Sequence, residues 1–130
     1  MRNRTKLLCL MAAALLSVNA FAGDPVVIAN ASVNLSAAEV RDVFLGEKQF
    51  AGTVKLVPVD NSAAQAGFLQ KVLQLDADKY AAIWAKRSFR DGMNAPEVKS
   101  SDAEVISFVK SNPGAVGYVS APADGVKVIK

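Results

Sequence analysis

The stretch Asn112-Pro113-Gly114-Ala115-Val116-Gly117-Tyr118-Val119-Ser120 restricts the fold more than any other part of the chain. Pro113 has no amide hydrogen and its ring clashes with the preceding turn, so a helix arriving from the left must stop there. Gly114 and Gly117 permit backbone angles or close approaches that a β-carbon would forbid. Val116, Tyr118 and Val119 suit a pleated, half-buried surface. The reading is a helix end, a tight turn and a buried strand. With the upstream strand that ends in Asp60-Asn61-Ser62, it points to an α/β lobe presenting loops to a small ligand.

The amino terminus reads as an export signal. Arg2, Arg4 and Lys6 precede an apolar run, Leu7 to Leu16, and Ala20-Phe21-Ala22 is a small-x-small cleavage site. Residues 1–22 are therefore expected to be a secretory signal peptide cut after Ala22, with 23–130 as the exported domain in the periplasm. The apolar run is shorter than the roughly 20 residues a membrane span needs, so no direct membrane insertion is expected after cleavage. Cys9 lies inside that run behind Leu7 and Leu8, and reads as signal-peptide filling.

Removing the signal changes the charge balance. The chain has 15 basic and 12 acidic residues, and three of the basic ones leave with residues 1–22. The basic excess therefore belongs to the export signal, and no nucleic-acid partner is implied. The chain has no histidine, and its single cysteine is Cys9. Disulfides, a thiol nucleophile, an imidazole base and most transition-metal sites are thus outside its chemistry. About 108 residues remain, enough for one domain with a single packed core.

Along that domain, Val26-Val27-Ile28-Ala29 reads as a buried strand. Ser36 and Glu39 have capping-box spacing before a helix carrying Val40, Val43 and Phe44, which Gly46 ends. A second strand is expected over Val54-Lys55-Leu56-Val57-Pro58-Val59, with Pro58 at its end or on an edge. A helix starts near Asn61 or Ser62, with Phe68, Leu69, Val72 and Leu73 on one face. Asp76 caps the next helix, which buries Tyr80, Ile83 and Trp84 and ends at Phe89. Residues 90–99 read as irregular. Ser101 and Glu104 form a second capping box before a helix carrying Val105, Ile106 and Val109. Strands over Ala115 to Ser120 and Val126 to Ile129 complete the order β-α-β-α-α-α-β-β. Strands separated by helices imply crossovers and a mixed, mostly parallel sheet flanked by helices.

Ligands of such sheets bind beyond the carboxyl ends of the strands, which directs attention to Asn30-Ala31-Ser32, to Asp60-Asn61-Ser62 and to the residues after Tyr118. Asn61-Ser62 at a helix start has two readings, simple capping or an oxyanion seat made of free amides and the helix dipole. In the second, Ser62 supplies a hydroxyl, and Asn61 or Gln65 an amide. Asp60 opposes a fully ionised anion but can accept a proton from a partly protonated one. Asp76 and Asp78 read as a cap and a first-turn acid, not a metal pair. Lys86, Arg87 and Arg90 form a basic cluster that is either solvated surface or faces an anion or a partner. No serine sits in a nucleophile-elbow pattern and there is no phosphate-cradling glycine loop, so enzymatic chemistry is not expected.

Leu35-Ser36-Ala37-Ala38-Glu39-Val40-Arg41-Asp42-Val43-Phe44-Leu45-Gly46 resembles the "L-S-x-x-E-L-x-x-I-F-x-G" segment of phosphate-type periplasmic solute-binding proteins. Val57-Pro58-Val59-Asp60 stands where that family has the strand entering its phosphate loop, and Asn112 to Val119 is similar to its "x-P-G-A-I-G-Y-V" segment. Trp84 to Phe89, with Gly92 and Pro96, is similar to short phosphate-transport members. The resemblance implies an α/β fold corresponding to a single lobe of a type-II periplasmic binding protein. It also implies a non-enzymatic solute-binding role, with a phosphate-like oxyanion as ligand and an ABC-type membrane transporter as partner. Where full-length members carry an arginine followed by Ser-Gly-Thr, this sequence has Asp60-Asn61-Ser62-Ala63-Ala64-Gln65-Ala66-Gly67. The residues expected to bind the ligand are Asn30, Ser32, Asn61, Ser62 and Gln65. The alternative is an envelope protein-interaction module that has kept the fold and lost its ligand.

Overall fold

The computed structural model describes residues 24–130. The expected signal peptide and its cleavage site lie outside the described residues. Five strands form the main sheet, in spatial order β5 (Glu97–Lys99), β4 (Val57–Asn61), β6 (Ala115–Val119), β1 (Val26–Ala29) and β7 (Lys127–Ile129). β4 runs parallel to β5 and β6, while β1 runs antiparallel to β6 and β7. Every strand except β1 therefore points the same way, and the mixed, mostly parallel sheet expected from the sequence is present.

Helices cover both faces. The helix α4 (Asp102–Ser111) lies over one, packing Val105 and Val109 against Ile28, Val59, Ala115 and Val119. The helices α1 (Ala37–Phe44), α2 (Gln65–Phe68) and α3 (Ala77–Asp91) lie over the other. There Val40, Phe44, Phe68 and Trp84 surround Val27, Val116 and Tyr118. β6 is buried along its whole length, as expected for a strand covered on both faces. Its alternation sends Ala115, Gly117 and Val119 toward α4, and Val116 and Tyr118 toward the other helices.

The local start and stop signals behave largely as their chemistry dictates. Ser36 and Glu39 form the reciprocal capping box of α1. Asp76 caps α3 by accepting from the Lys79 amide, and Gly92 ends that helix in the left-handed conformation two residues beyond the expected boundary. Ser101 accepts from the Glu104 amide. The Glu104 carboxylate returns to Ser100, not Ser101, so the second box is only half formed.

Three expectations need correction. The strand expected over residues 54–59 is broken at Leu56. Val54–Lys55 (β3) pairs with Phe50–Ala51 (β2) in a separate hairpin, and β4 begins at Val57. The helix expected at Asn61 or Ser62 begins at Gln65, and it continues beyond α2 as a π-helical turn over Leu69–Leu73. The segment read as irregular contains β5, an edge strand. Three residues of alternating charge and β-branching are too short for a periodicity to be visible.

Pro58 sits in β4 between two neighbouring strands without costing a hydrogen bond. The Val57 amide donates to the Gly114 carbonyl on the β6 side, so the Pro58 nitrogen faces the β5 side. The β4–β5 ladder starts only at Val59.

Gly114 and Gly117 are required for two different reasons. Gly114 has φ +86°, and a β-carbon there would lie 2.0 Å from the Lys55 carbonyl oxygen. Gly117 has no unusual φ, but a β-carbon would lie 2.7 Å from Val105 and 2.9 Å from Val59. It sets how closely α4 approaches the sheet.

Gly92 separates the conformational cost from the steric one, because it has φ +68° with open space around it. Gly92→Ala is expected to lose about 1–2 kcal/mol from the left-handed conformation alone. Gly114→Ala adds an overpacking cost of about 1–3 kcal/mol to that. Urea denaturation of the two variants checks the difference; equal losses would show that the Gly114 turn relaxes freely.

Candidate functional site

At the carboxyl ends of β4 and β6 the chain assembles a dense polar cluster. Asp60, the penultimate residue of β4, is 2% exposed. Its two carboxylate oxygens each accept a phenol hydrogen, from Tyr80 on α3 at 2.9 Å and from Tyr118 on β6 at 2.8 Å. Tyr118 in turn stacks on Phe68, with ring centroids 3.8 Å apart and planes 3° from parallel. Desolvation pushes the Asp60 carboxyl above its usual range, and the two phenol hydrogen bonds oppose that rise without cancelling it. Burial and the neighbouring Asp60 charge push both phenols upward, so neither ionises at ordinary pH.

Asn61 is fully buried and its side chain is committed on both sides. Its Nδ2 donates to Asp102 at 2.8 Å and to the Tyr118 carbonyl at 3.0 Å. Its Oδ1 accepts from the Ala63 amide at 3.0 Å. Asp102 opens α4 and also accepts from the Ser120 amide and hydroxyl. Partial burial alone would raise Asp102, but the hydrogen bonds from Ser120 and Asn61 together hold it below the usual carboxylate range. Asn61, Asp102 and Ser120 thereby clasp the ends of β4 and β6 and the start of α4 into one rigid rim.

The five residues expected to bind ligand are not brought to one place. Asn30 and Ser32 follow β1, and β1 is the one reversed strand, so they emerge at the opposite end of the sheet. There Asn30 donates to the Val109 carbonyl at 2.8 Å, closing the end of α4. Ser32 donates to Asn30 and accepts from the Gly114 amide. Both residues fasten the turn before β6. The expectation that they share a site with Asn61 is corrected by strand direction, which a single sequence does not display.

The anion seat expected at the Ser62 amide is also displaced. That nitrogen donates to the Lys99 carbonyl at 2.9 Å, the Ala63 amide to Asn61 Oδ1, and the Ala64 amide to the Asn61 carbonyl. The β4–β5 pairing continues past Asn61 and consumes the first of these donors, so the missed strand is the physical reason. The unpaired amides lie three residues further on. α2 begins at Gln65 with no side-chain cap. The amides of Gln65, Ala66 and Gly67 have no acceptor among the described residues, as expected for a first turn.

Ser62 is exposed and Gln65 half-buried. Gln65 and Asp60 share the lining of a groove of about 390 Å³ between α3 and β5, with Tyr80 beneath and Pro96 and Val98 along the far wall. Gln65 also approaches the Tyr118 hydroxyl and works against its upward shift. What remains open to a ligand is one hydroxyl, one amide side chain and three main-chain donors, beside a shielded carboxylate. Among the described residues, no cluster of acidic side chains has a metal-holding arrangement. Arg87, from the basic cluster, turns away from this rim to donate to the Leu45 carbonyl and pair with Glu47 and Asp91.

The Asp60 network makes a pH prediction with a definite sign. A carboxyl whose pKa is raised on folding binds its proton more tightly in the native state. Its contribution is therefore favourable below the unfolded value of 3.8 and is lost as pH rises through the folded value. Asp60→Asn lacks this loss, so its stability relative to the parent should improve as pH rises above the unfolded value. Asp60→Ala strands two buried phenols, at about 1–3 kcal/mol each. Denaturant titrations at several pH values check both; a pH-independent difference between Asp60→Asn and the parent would mean that Asp60 does not titrate as described.

A search against protein-family models found no match, and neither did a search of curated proteins. Solved structures do match. A phosphate ABC transporter substrate-binding protein from Clostridium perfringens, solved with bound phosphate, superposes with a TM-score of 0.60 at 15% identity. The overlap covers 82% of this chain and 44% of that one. An ABC-type phosphate transport receptor from Vibrio cholerae gives 0.57 at 16% identity, over 82% and 45% of the two chains. PstS from Borrelia burgdorferi gives 0.56 at 14%, over 82% and 46%. The chain spans less than half the length of each, and what it shares with these three proteins is the fold of one part of them.

Proposed function

We propose that this chain is a non-enzymatic solute-binding module, exported to the periplasm, that holds an oxyanion such as phosphate at the turn between β4 and α2. The observation that carries the reading is the group of donors left unspent there: the Gln65, Ala66 and Gly67 amides, the Ser62 hydroxyl and the Gln65 side chain. Main-chain donors at a helix start favour a negative guest, because their dipoles add where the anion sits. Asn61 serves the site by position only, since its own polar atoms are used in the clasp. Asp60 stands behind the donors with both oxygens covered by phenols.

The proposed site differs in character from an arginine-clamped one. No guanidinium follows β4, so binding rests on neutral donors, each worth less than a charge-assisted bond. Ser62 and Ala66 are exposed, so a ligand seated at the turn keeps one side in water. Tight capture needs a second wall, from another copy or from an envelope partner such as a membrane transporter, because affinity grows with burial between preorganised surfaces. Weak binding by the isolated module is therefore part of the reading.

Calorimetry with phosphate and sulfate is the direct test. Phosphate should give a saturable heat in the millimolar range or below, and Ser62→Ala combined with Gln65→Ala should weaken it by about tenfold or more, two neutral hydrogen bonds being worth about 1–3 kcal/mol together. No heat at millimolar ligand would remove solute capture. A stoichiometric envelope partner retained under phosphate depletion would then identify an interaction module instead.

A further inference from the structure

A second cavity lies at the other end of the sheet. It is a cleft of about 550 Å³ beneath the amino ends of β4 and β5, bounded by Val57 and Pro58 on one and Glu97 on the other. It is separated from the turn at Ser62 by the length of β4, and it meets the groove beside Asp60 only at Trp84, Ala95 and Pro96. Trp84 and Leu56, each 5% exposed, close its floor, Phe108 touches it from the other face of the sheet, the loop after α3 adds Met93 and Asn94, and the β2–β3 hairpin region adds Lys48 and Lys55.

The charges on this lining are unbalanced. Lys55 has no carboxylate within ion-pair distance among the described residues, and Lys48 reaches a single one, Glu39, at 3.4 Å. Glu97 is the one acidic residue on the lining, and it is paired with Lys99. Each ammonium carries three donors, so several N–H groups have no protein acceptor. The cleft therefore combines an apolar floor with a cationic rim. Such a site suits a ligand with matching halves, because a fully hydrated inorganic anion would lose water against the floor without gaining partners for all its oxygens.

We propose that this cleft is a second binding site, specific for a small organic acid with a flat apolar body: the body lies along Val57, Pro58 and Met93, and the carboxylate meets Lys48 and Lys55. Pockets of this size and mixed lining are the usual form of small-molecule sites. Inorganic phosphate, the ligand class proposed for the β4–α2 turn, is not expected to compete for it.

Trp84 is the single tryptophan of the chain, so its indole N–H gives one resonance that reports on the cleft floor. Naphthoate added to the purified protein should shift that resonance saturably, with one-to-one stoichiometry by calorimetry. Neutral naphthylmethanol should bind about tenfold more weakly, and so should naphthoate to the Lys48→Gln, Lys55→Gln double variant, the loss expected for a charge-assisted contact. Lys55→Gln alone changes an exposed side chain without a partner and keeps the test available if the double variant folds poorly; a several-fold loss is expected. Millimolar phosphate should leave naphthoate bound. Absence of saturable binding, equal affinity for the neutral analogue, indifference to Lys55→Gln, or displacement by phosphate would each overturn the assignment.

Discussion

The Asp60 carboxylate, held between the hydroxyls of Tyr80 and Tyr118, is the contact on which the rest of the architecture leans. It joins a central strand, its neighbour and the long helix α3 through one buried carboxyl group. An ionised carboxylate in a dry interior is costly, and it persists only where donors cover its oxygens. The two phenols do so while their rings fill the core. The stack of Tyr118 on Phe68, and the edge contacts of Phe44 with both rings, then carry the position of β6 into α1 and α2. Removing the carboxyl group, a ring or a hydroxyl disturbs three elements together.

Next to this contact, the clasp of Asn61, Asp102 and Ser120 explains why the rim can be rigid without metal, disulfide or basic residue. Each polar atom of Asn61 has a defined partner, so the β4–α2 turn has little freedom to rearrange. The same economy limits its chemistry. The atoms that build the turn are not available to a guest, and ligand recognition falls to the few donors left over at Ser62 and along the first turn of α2.

Much of this fold was legible in the residues themselves. Ser36 with Glu39, Gly46, Asp76 and the Pro113-Gly114 turn are local signals, set by a capping side chain, a missing amide or a left-handed φ, and they lie where their chemistry places them. The strand β6 could be read because its burial on both faces leaves an apolar run. What escaped was non-local. β5 is three residues long and borrows its pairing from β4, so no period marks it. Its absence from the reading misdirected the site, since the Lys99 carbonyl is what occupies the Ser62 amide. Asn30 and Ser32 were misplaced for the same kind of reason. Their loop resembles a strand-end loop like any other, and only the antiparallel pairing of β1 with β6 sends it to the far side. Gln65 was recognisable as a donor, while Asn61, chosen for the same amide chemistry, proved to be scaffold.

The reversed strand β1 has a kinetic consequence. Its two neighbours, β6 and β7, come from the far end of the described chain. Among the described strands, the first to be synthesised therefore waits unpaired until the last two appear. Pairings between such distant segments are slow to form, because a long loop must close before any ladder bond compensates its lost entropy. In a polypeptide built this way the sheet is closed on its β1 side only by the residues made last.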